Sequence, residues 1–345
     1  MGNNAWFQIN ISHQCNRKCA HCYVLDNRTP ELIMPEWMMK RISEYGEFIY
    51  RQYAIDKIKT TILGGEPLLH FPQVMNLVRI LKATSGPEMI FWLFTNGDLL
   101  TDEIMKRLAE ENVFVLLSSN QSPESFLFEK CSIIEKYQKM TRVAICMDRA
   151  NMLRVPQLVE RIFQNGWSVR LFADNYGYKD AEFFDLYKAV VPEALDIIDH
   201  YEKEGKRLLF LYENLDPRAK GEKSTYLVGK SICVFDPDGV VRTSTPMKEI
   251  GTVGNLVSPA DYFGIMRNYP FRAQRIPRWS AQYIKECDGC PVRSVCQGGY
   301  PVPRWYYWGR FDKPTPYCEL FKQTIPQFVR IYNEKTISPT VAVPK

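Results

Sequence analysis

An alternation of strand-like and helix-like segments, repeated six times between residues 5 and 173, is the strongest constraint on the fold. Apolar runs that alternate or are continuous predict the strands, and apolar residues three and four positions apart predict the helices between them. Such alternation is typical of parallel βα units, in which helices cover the sheet. We therefore predict an α/β fold with strands at 5–11, 55–63, 89–94, 113–119, 142–147 and 168–173.

Polar motifs follow each of the first four predicted strands. Functional residues in parallel βα folds gather at the carboxyl ends of the strands, so these motifs are the first place to look for a site. In chain order they are the cysteines Cys15, Cys19 and Cys22, the stretch "GGEP" (64–67), the stretch "TNG" (95–97), and the serines Ser118 and Ser119.

The first of these motifs, "HQCNRKCAHCYVL" (13–25), places three thiols within eight residues. Three thiolates can hold three irons of a [4Fe–4S] cube and leave the fourth iron open to a substrate or cofactor. A closed zinc site needs four ligands, so the alternative is a zinc ion completed by His13 or His21.

A second group of four cysteines follows much later in the chain, at Cys287, Cys290, Cys296 and Cys318. Four thiols with one C-x2-C pair fit a closed site, which holds either zinc or a [4Fe–4S] cluster. Cys131 and Cys146 lie in a predicted helix and a predicted strand, where we expect buried, inert thiols.

The composition limits the classes of partner and the compartment that we expect for this chain. The net charge is +5, from 44 basic and 39 acidic residues without a long basic run, which gives no support for a nucleic-acid surface. No apolar stretch of about 18 residues predicts a membrane span. The start lacks the regions of a signal peptide, so we expect a cytosolic protein whose clustered cysteines bind metal rather than form disulfides.

The spacing Cys15-x3-Cys19-x2-Cys22 after a first strand, followed by βα units, resembles the radical S-adenosylmethionine (SAM) superfamily. The resemblance implies a partial (βα)6 TIM-like barrel, a SAM-binding [4Fe–4S] cluster and SAM itself. "GGEP" resembles the motif that meets the SAM amino group. By the same resemblance, the cofactor-binding residues are His21, Gly64, Gly65, Glu66, Pro67, Thr95, Asn96, Ser118 and Ser119. The family pattern Ser-x-Asp-Gly after the fourth strand reads Ser118-Ser119-Asn120-Gln121 here.

The family chemistry follows as an implication of the resemblance. The reduced cluster passes an electron to SAM, whose C–S bond breaks to give a 5′-deoxyadenosyl radical that abstracts hydrogen from an unactivated C–H. The protein orients the reactants and excludes water. A separate electron donor such as flavodoxin or ferredoxin is then expected as a partner.

The later cysteines resemble the SPASM extension of radical SAM peptide-modifying enzymes. "FDPDGVV" (235–241) resembles the hairpin that opens this extension, and "GTVGNL" (251–256) resembles the segment that follows. The family cysteines near Thr243 and at Tyr300 are missing. The resemblance therefore implies one auxiliary [4Fe–4S] cluster on the four later cysteines, with Cys233 left over or in the core.

The predicted domains follow from these motifs. They are a radical SAM core at 1–178, a helical linker region at 179–230, a loop-rich SPASM-like cluster domain at 231–330, and a C-terminal tail at 331–345.

Three functions fit the sequence. The first is a peptide maturase that introduces a crosslink, a thioether or an oxidation into a ribosomal precursor peptide, with a separate protein supplying leader binding. The second is a small-molecule radical SAM dehydrogenase or biosynthetic enzyme that acts on a sugar, an aminoglycoside or a cofactor. The third is a non-enzymatic zinc-binding protein. The aromatic stretch 300–310 either covers the second cluster or forms a platform for an aromatic or peptide substrate.

Overall fold

The structure of the chain, a computed structural model, describes residues 3–19, 22, 31–118, 129–173, 181–203, 210–212, 232–242, 252–258 and 281–336. The strands in these ranges are Asn3–Asn10 (β1), Ile55–Leu63 (β2), Glu88–Thr95 (β3), Val113–Ser118 (β4), Thr141–Met147 (β5), Val169–Ala173 (β6), Phe210–Tyr212 (β7), Ile232–Phe235 (β8), Val240–Arg242 (β9) and Thr252–Asn255 (β10). The α-helices are Glu36–Tyr53 (α1), Phe71–Lys82 (α2), Asp102–Glu110 (α3), Cys131–Lys136 (α4), Val155–Gln164 (α5), Ala181–Lys203 (α6), Arg293–Cys296 (α7), Pro301–Trp308 (α8) and Cys318–Thr336 (α9).

The predicted alternation of strands and helices is present from β1 to β6. Local signals explain where the elements begin. The side chain of Thr101 accepts a hydrogen bond from the backbone N–H of Ile104 and so caps α3. Helix α1 begins directly after Pro35, whose fixed φ suits the first turn of a helix.

The chain forms two compact units. The N-terminal unit comprises Met1–Leu117, Lys139–Thr141 and Leu227–Pro277; the C-terminal unit comprises Ser118–Gln138, Arg142–Tyr226 and Arg278–Lys345. The hairpin of β8 and β9, which the sequence placed with the SPASM-like extension, thus belongs to the same unit as the first cysteine motif. The functional boundaries predicted above remain a prediction.

The N-terminal unit is built on a sheet in the order β10-β9-β8-β1-β2-β3-β4. Strands β1 to β4 are parallel, and β8 is also parallel to β1. One face of the sheet packs against α1, where Phe7 stacks on Tyr45 with ring centroids 5.8 Å apart. Strands β8 and β9 form the predicted hairpin around Asp238 and Gly239, and Gly239 adopts a φ of +84° that favours glycine.

The C-terminal unit contains the parallel strands β5, β6 and β7, together with helices α4 to α9. Helix α9 packs against α6, where Gln327 donates a hydrogen bond to Asp196 (2.6 Å) and Arg330 pairs with Asp199 (3.0 Å). Tyr317, just before α9, stacks on Tyr187 of α6 with centroids 5.9 Å apart.

This unit is more helical than the sequence suggested. The expectation was a loop-rich region held by metal, with a tail from residue 331, but α9 runs for 19 residues to Thr336. Its buried residues Ile325, Phe328 and Ile331 recur every three positions, so one face of the helix is apolar and buried.

None of the described helices is both long and apolar enough to span a membrane.

Candidate metal centres

The first three cysteines lie in an irregular loop that leaves the end of β1. Cys15, Cys19 and Cys22 are all half-buried and free of disulfides. The backbone N–H of Arg17 lies 3.4 Å from the Cys15 sulfur, and the N–H of Cys22 donates to the Cys19 carbonyl (3.1 Å). We call residues 12–19 together with Cys22 the cysteine loop. His21 lies outside the described residues.

Two glycines at the end of β2 make room for this loop. A Cβ atom on Gly65 would lie 1.9 Å from the carbonyl oxygen of Gln14, and one on Gly64 would lie 2.2 Å from that of Ser12. The N–H of Gly65 donates to Ser12 (2.8 Å) and that of Glu66 donates to Gln14 (2.7 Å). We expected these glycines to admit a ligand, and in the structure they admit the backbone of the cysteine loop. Their contact with SAM remains a prediction.

Glu66 joins the ends of β2 and β3. Its carboxylate is 1% exposed and accepts hydrogen bonds from the backbone of Leu68 (3.0 Å), the hydroxyl of Thr95 (2.7 Å) and the backbone of Asn96 (2.8 Å). Burial raises the pKa of Glu66, and these three hydrogen bonds counteract part of that effect. Pro67 opens the short 3-10 turn that follows. Whether Glu66 also meets the SAM ammonium remains a prediction.

A polar network ties the cysteine loop to the end of β3. The side-chain amide of Asn96 donates to the side chain of Asn16 (2.7 Å), and both Asn16 and Arg17 donate to Asp98. Sequence reasoning found Asn96 but missed Asn16, Arg17 and Asp98. Their only signal was position, since Asn16 and Arg17 lie between two predicted ligands and Asp98 follows "TNG". Ser118 is half-buried at the end of β4, and Ser119 lies outside the described residues.

A second polar cluster lies at the other side of β1, and sequence reasoning missed it as well. Asp236, 1% exposed, accepts a hydrogen bond from Asn10 (2.7 Å), pairs with Arg242, and lies 3.5 Å from Nε2 of His13 in the cysteine loop. Burial alone raises the pKa of Asp236, but His13, Arg242 and Asn10 together hold it below its ordinary value. The hairpin therefore fixes the start of the cysteine loop.

The later cysteines gather in the C-terminal unit. Cys287 and Cys296 are buried, and Cys290 and Cys318 are half-buried. The N–H of Cys290 donates to the Cys287 carbonyl (3.3 Å), Cys296 ends α7, and Cys318 begins α9. Three separate parts of the chain thus bring these thiols into one region.

Burial and mutual repulsion act on these thiols. Burial, and after it the charges of neighbouring cysteines, raises the pKa of Cys287 to about 11 and that of Cys296 to about 12. The charges of Cys290 and Cys318 act on both thiols, and the charge of Cys287 also acts on Cys296. The electrostatic coupling involves the same four cysteines that the sequence grouped, and their role as ligands remains a prediction.

Cationic side chains surround the four thiols. Arg304 is 0% exposed, its Nη1 donates to the carbonyl of Phe311 (3.0 Å), and its charge lowers the pKa of Cys287. The charge of Lys322 acts in the same sense on Cys318. A cluster held by four thiolates is an anion, so buried and nearby cations fit it.

Thiols alone form both donor sets, which suits iron–sulfur clusters. Within the described ranges, no three or more His, Cys, Asp or Glu side chains gather around the position of a single ion. A [4Fe–4S] cube does not need ligands that converge on the position of one ion, because each thiolate binds a different iron. The residues of both groups therefore fit [4Fe–4S] clusters, three thiolates in one case and four in the other.

The remaining cysteines stand apart from these groups. Cys233 is buried, its sulfur lies 3.7 Å from the hydroxyl of Tyr45, and burial strongly raises its pKa. Cys146 is buried in β5, whereas Cys131 is half-buried and donates to Glu135 (3.1 Å).

Comparisons with known proteins agree with this geometry. Residues 9–150 match the profile of the Radical SAM superfamily. The chain is similar to the antilisterial bacteriocin subtilosin biosynthesis protein AlbA of Bacillus subtilis, with 22% identity over 315 residues, 84% of this chain and 66% of AlbA. It is also similar to the radical SAM cyclopropyl synthase TigE of Paramaledivibacter caminithermalis, with 21% identity over 370 residues, 96% of this chain and 74% of TigE.

The fold is similar to that of anSMEcpe, solved with bound AdoMet and the Kp18Cys peptide. The TM-score is 0.74 at 17% sequence identity, covering 97% of this chain and 100% of that chain. The predicted α/β fold is therefore confirmed.

Proposed function

The chain carries a radical SAM domain and is a radical SAM enzyme, and we propose that it modifies a peptide by hydrogen abstraction. The family, the enzyme class, and SAM with its [4Fe–4S] cluster as cofactors are confirmed predictions. The non-enzymatic alternative is thereby removed.

The three half-buried thiols of the cysteine loop, held at the carboxyl end of β1, carry the proposal. Cys15, Cys19 and Cys22 would hold the cluster and leave one iron for SAM. When bound, the reduced cluster and SAM supply a 5′-deoxyadenosyl radical that abstracts hydrogen from a substrate C–H. The hydrogen bonds of Gly65 and Glu66 with the backbone of the loop would hold it in position for both groups.

The strand ends around the loop would bind SAM. The carbonyls of Gly64 and Gly65 and the carboxylate of Glu66 suit the binding of an ammonium group, and Pro67 follows them. Thr95, Asn96 and Ser118 end the neighbouring strands β3 and β4, where hydroxyl and amide groups suit ribose and carboxylate contacts. His21 and Ser119 complete the proposed set.

The four later cysteines would hold an auxiliary [4Fe–4S] cluster that has no open iron. Cys287, Cys290, Cys296 and Cys318 match four irons one to one, and Arg304 and Lys322 offset the charge. Such a cluster staples this part of the chain or accepts an electron from a product radical.

The peptide substrate is inferred from relatives. AlbA is named as a bacteriocin biosynthesis protein, and anSMEcpe binds a peptide in a solved structure. This is an analogy, because function resides in sites rather than in folds. The proposed partners are a precursor peptide, an electron donor such as flavodoxin or ferredoxin, and a separate leader-binding protein. Cysteines that bind metal rather than form disulfides suit the reducing cytosol, which is the compartment that we propose.

Anaerobic reconstitution tests the function. The holoenzyme is mixed with SAM, a reductant and a panel of short peptides encoded beside its gene, and deoxyadenosine and peptide masses are measured. We expect deoxyadenosine from the wild type and a mass change in one peptide, and neither from a chain with Cys15, Cys19 and Cys22 replaced by Ala. Deoxyadenosine with all peptides unchanged, and turnover of a sugar or cofactor precursor instead, would contradict the peptide substrate.

A further inference from the structure

Asp98, just beyond the end of β3, is the hub of the polar network on the cysteine loop. Its carboxylate accepts a hydrogen bond from Nε of Arg17 (2.8 Å), a second from Nη2 of Arg17, and a third from the side-chain amide of Asn16 (2.9 Å). The paired contact with Arg17 is bidentate, a geometry that fixes the direction of the guanidinium as well as its distance.

The network continues from Asp98 to the end of β2. The N–H of Asp98 donates to the side chain of Asn96 (3.0 Å), which in turn donates to Asn16 (2.7 Å). The N–H of Asn96 donates to the buried carboxylate of Glu66 (2.8 Å). Asn16 and Arg17 are two of the three residues between Cys15 and Cys19. Both are therefore held by residues that follow strand β3, outside the loop.

Arg17 lies two residues from Cys15 and two residues from Cys19, and its guanidinium is largely shielded from water. Its side chain is 16% exposed and that of Asp98 is 34% exposed, so water screens the pair only in part. The hydrogen bond with Asp98 raises the pKa of Arg17, burial lowers it, and the charges of Asp98 and Cys19 raise it further. The backbone N–H of Arg17 also points at the Cys15 sulfur (3.4 Å). One residue thus acts on the surroundings of two thiols.

We propose that Asp98 is a positioning residue that fixes the loop between Cys15 and Cys19 and offsets the positive charge of Arg17 beside the SAM-binding cluster. This rests on the proposed function for that cluster. Reduction adds an electron to the cluster, and a nearby cation favours the reduced form. Asp98 therefore keeps the reduction potential lower than Arg17 alone would set it.

A double-mutant cycle on the holoenzyme tests the proposal. The midpoint potential is measured by an anaerobic redox titration that follows the EPR signal altered by SAM, in the wild type, Asp98→Asn, Arg17→Gln and the double variant. We expect a higher potential in Asp98→Asn, a lower one in Arg17→Gln, and a value near wild type in the double variant. Asp102→Asn, an exposed carboxylate in the first turn of α3, is the matched control and should leave the potential unchanged.

Potential shifts of opposite sign in the two single variants that cancel in the double variant cannot come from a loss of structure. They therefore distinguish an effect of charge from a structural effect. Should Asp98→Asn fail to take up iron, Asp98→Glu, which keeps the charge, is expected to restore iron content and potential. Full iron content with unchanged potentials in both single variants would overturn the proposal, as would shifts of the same sign or a failed rescue by Asp98→Glu. A wild-type chain that binds no iron would overturn the proposed function and this inference together, and unmodified peptides with the expected potentials would overturn only the peptide substrate.

Discussion

The two cysteine groups are held in place by different forces. The cysteine loop has no regular secondary structure, its thiols are half-buried, and polar contacts to Glu66, Asp98 and Asp236 fix its backbone and side chains. The four later cysteines lie around the short helix α7 and at the start of α9, and two of them are buried. An accessible loop suits a cluster that must accept a ligand, whereas buried thiols suit a cluster that is closed to other ligands.

The protonation of the buried thiols in the second group also affects how that group binds metal. Burial, and after it the charges of neighbouring cysteines, raises the pKa of Cys287 to about 11 and that of Cys296 to about 12, so both are protonated at neutral pH without metal. Metal binding must displace these protons, and nearby Arg304 lowers the cost of doing so.

Removing the thiols of the cysteine loop should have the largest effect. We expect replacement of Cys15, Cys19 and Cys22 by Ala to abolish SAM cleavage and to reduce iron from about eight to about four per chain. The βα core does not depend on these thiols, so circular dichroism should stay the same. Deoxyadenosine formation at the wild-type rate would contradict the assignment of an open cluster to this loop.

Removing thiols of the second group should have a different result. Replacement of Cys290 and Cys296 by Ala should leave SAM cleavage partly intact but stop product formation, or unfold the C-terminal unit, because this cluster does not bind SAM. Deoxyadenosine and product are measured in parallel, with Cys131→Ala as the control. A folded variant with an intact first cluster and no SAM cleavage would instead assign electron entry to the second cluster.

Breaking the cluster of Asp236 should cost stability in the N-terminal unit. Asp236→Asn removes one charge of the buried ion pair with Arg242, which typically costs about 3–5 kcal/mol of the free energy of unfolding. The pKa of Asp236 is held below its ordinary value of 3.8, so the stabilisation is present above that pH and is lost as the pH falls below it. Chemical denaturation from pH 7 to pH 3, with exposed Asp56→Asn as control, checks this. A difference between wild type and variant that grows towards low pH would contradict the account.

The smallest expected effects come from replacing two glycines, one beside each cysteine group. Gly65→Ala should cost about 1–3 kcal/mol or more and weaken SAM binding, because its Cβ would overlap the Gln14 carbonyl. Gly289, between Cys287 and Cys290, has a φ of +70°, and a Cβ added there would meet no atom within 4 Å, so Gly289→Ala should cost only about 1–2 kcal/mol. Denaturation and SAM titration measure both. Equal losses of SAM binding in the two variants would contradict the different roles of these segments.

The sequence predicted the strands and the position of the motifs well, because apolar periodicity and local turn residues determine both. It did not predict the partners of Asp98 or Asp236. Asn10 and Asp236 are 226 positions apart, and no local pattern shows that they meet in a buried hydrogen bond. It also underestimated α9, because the cysteine group before it suggested a loop-rich region, whereas the apolar face of that helix keeps it regular.

The central claim is that the first cluster has an open iron and the second does not. EPR spectra of the reduced holoenzyme, recorded with and without SAM, test it most directly. We expect two [4Fe–4S] signals. The signal that is lost on replacing Cys15, Cys19 and Cys22 should change when SAM is added. The signal that is lost on replacing Cys290 and Cys296 should not. A SAM-dependent change in the second signal, or none in the first, would contradict the account.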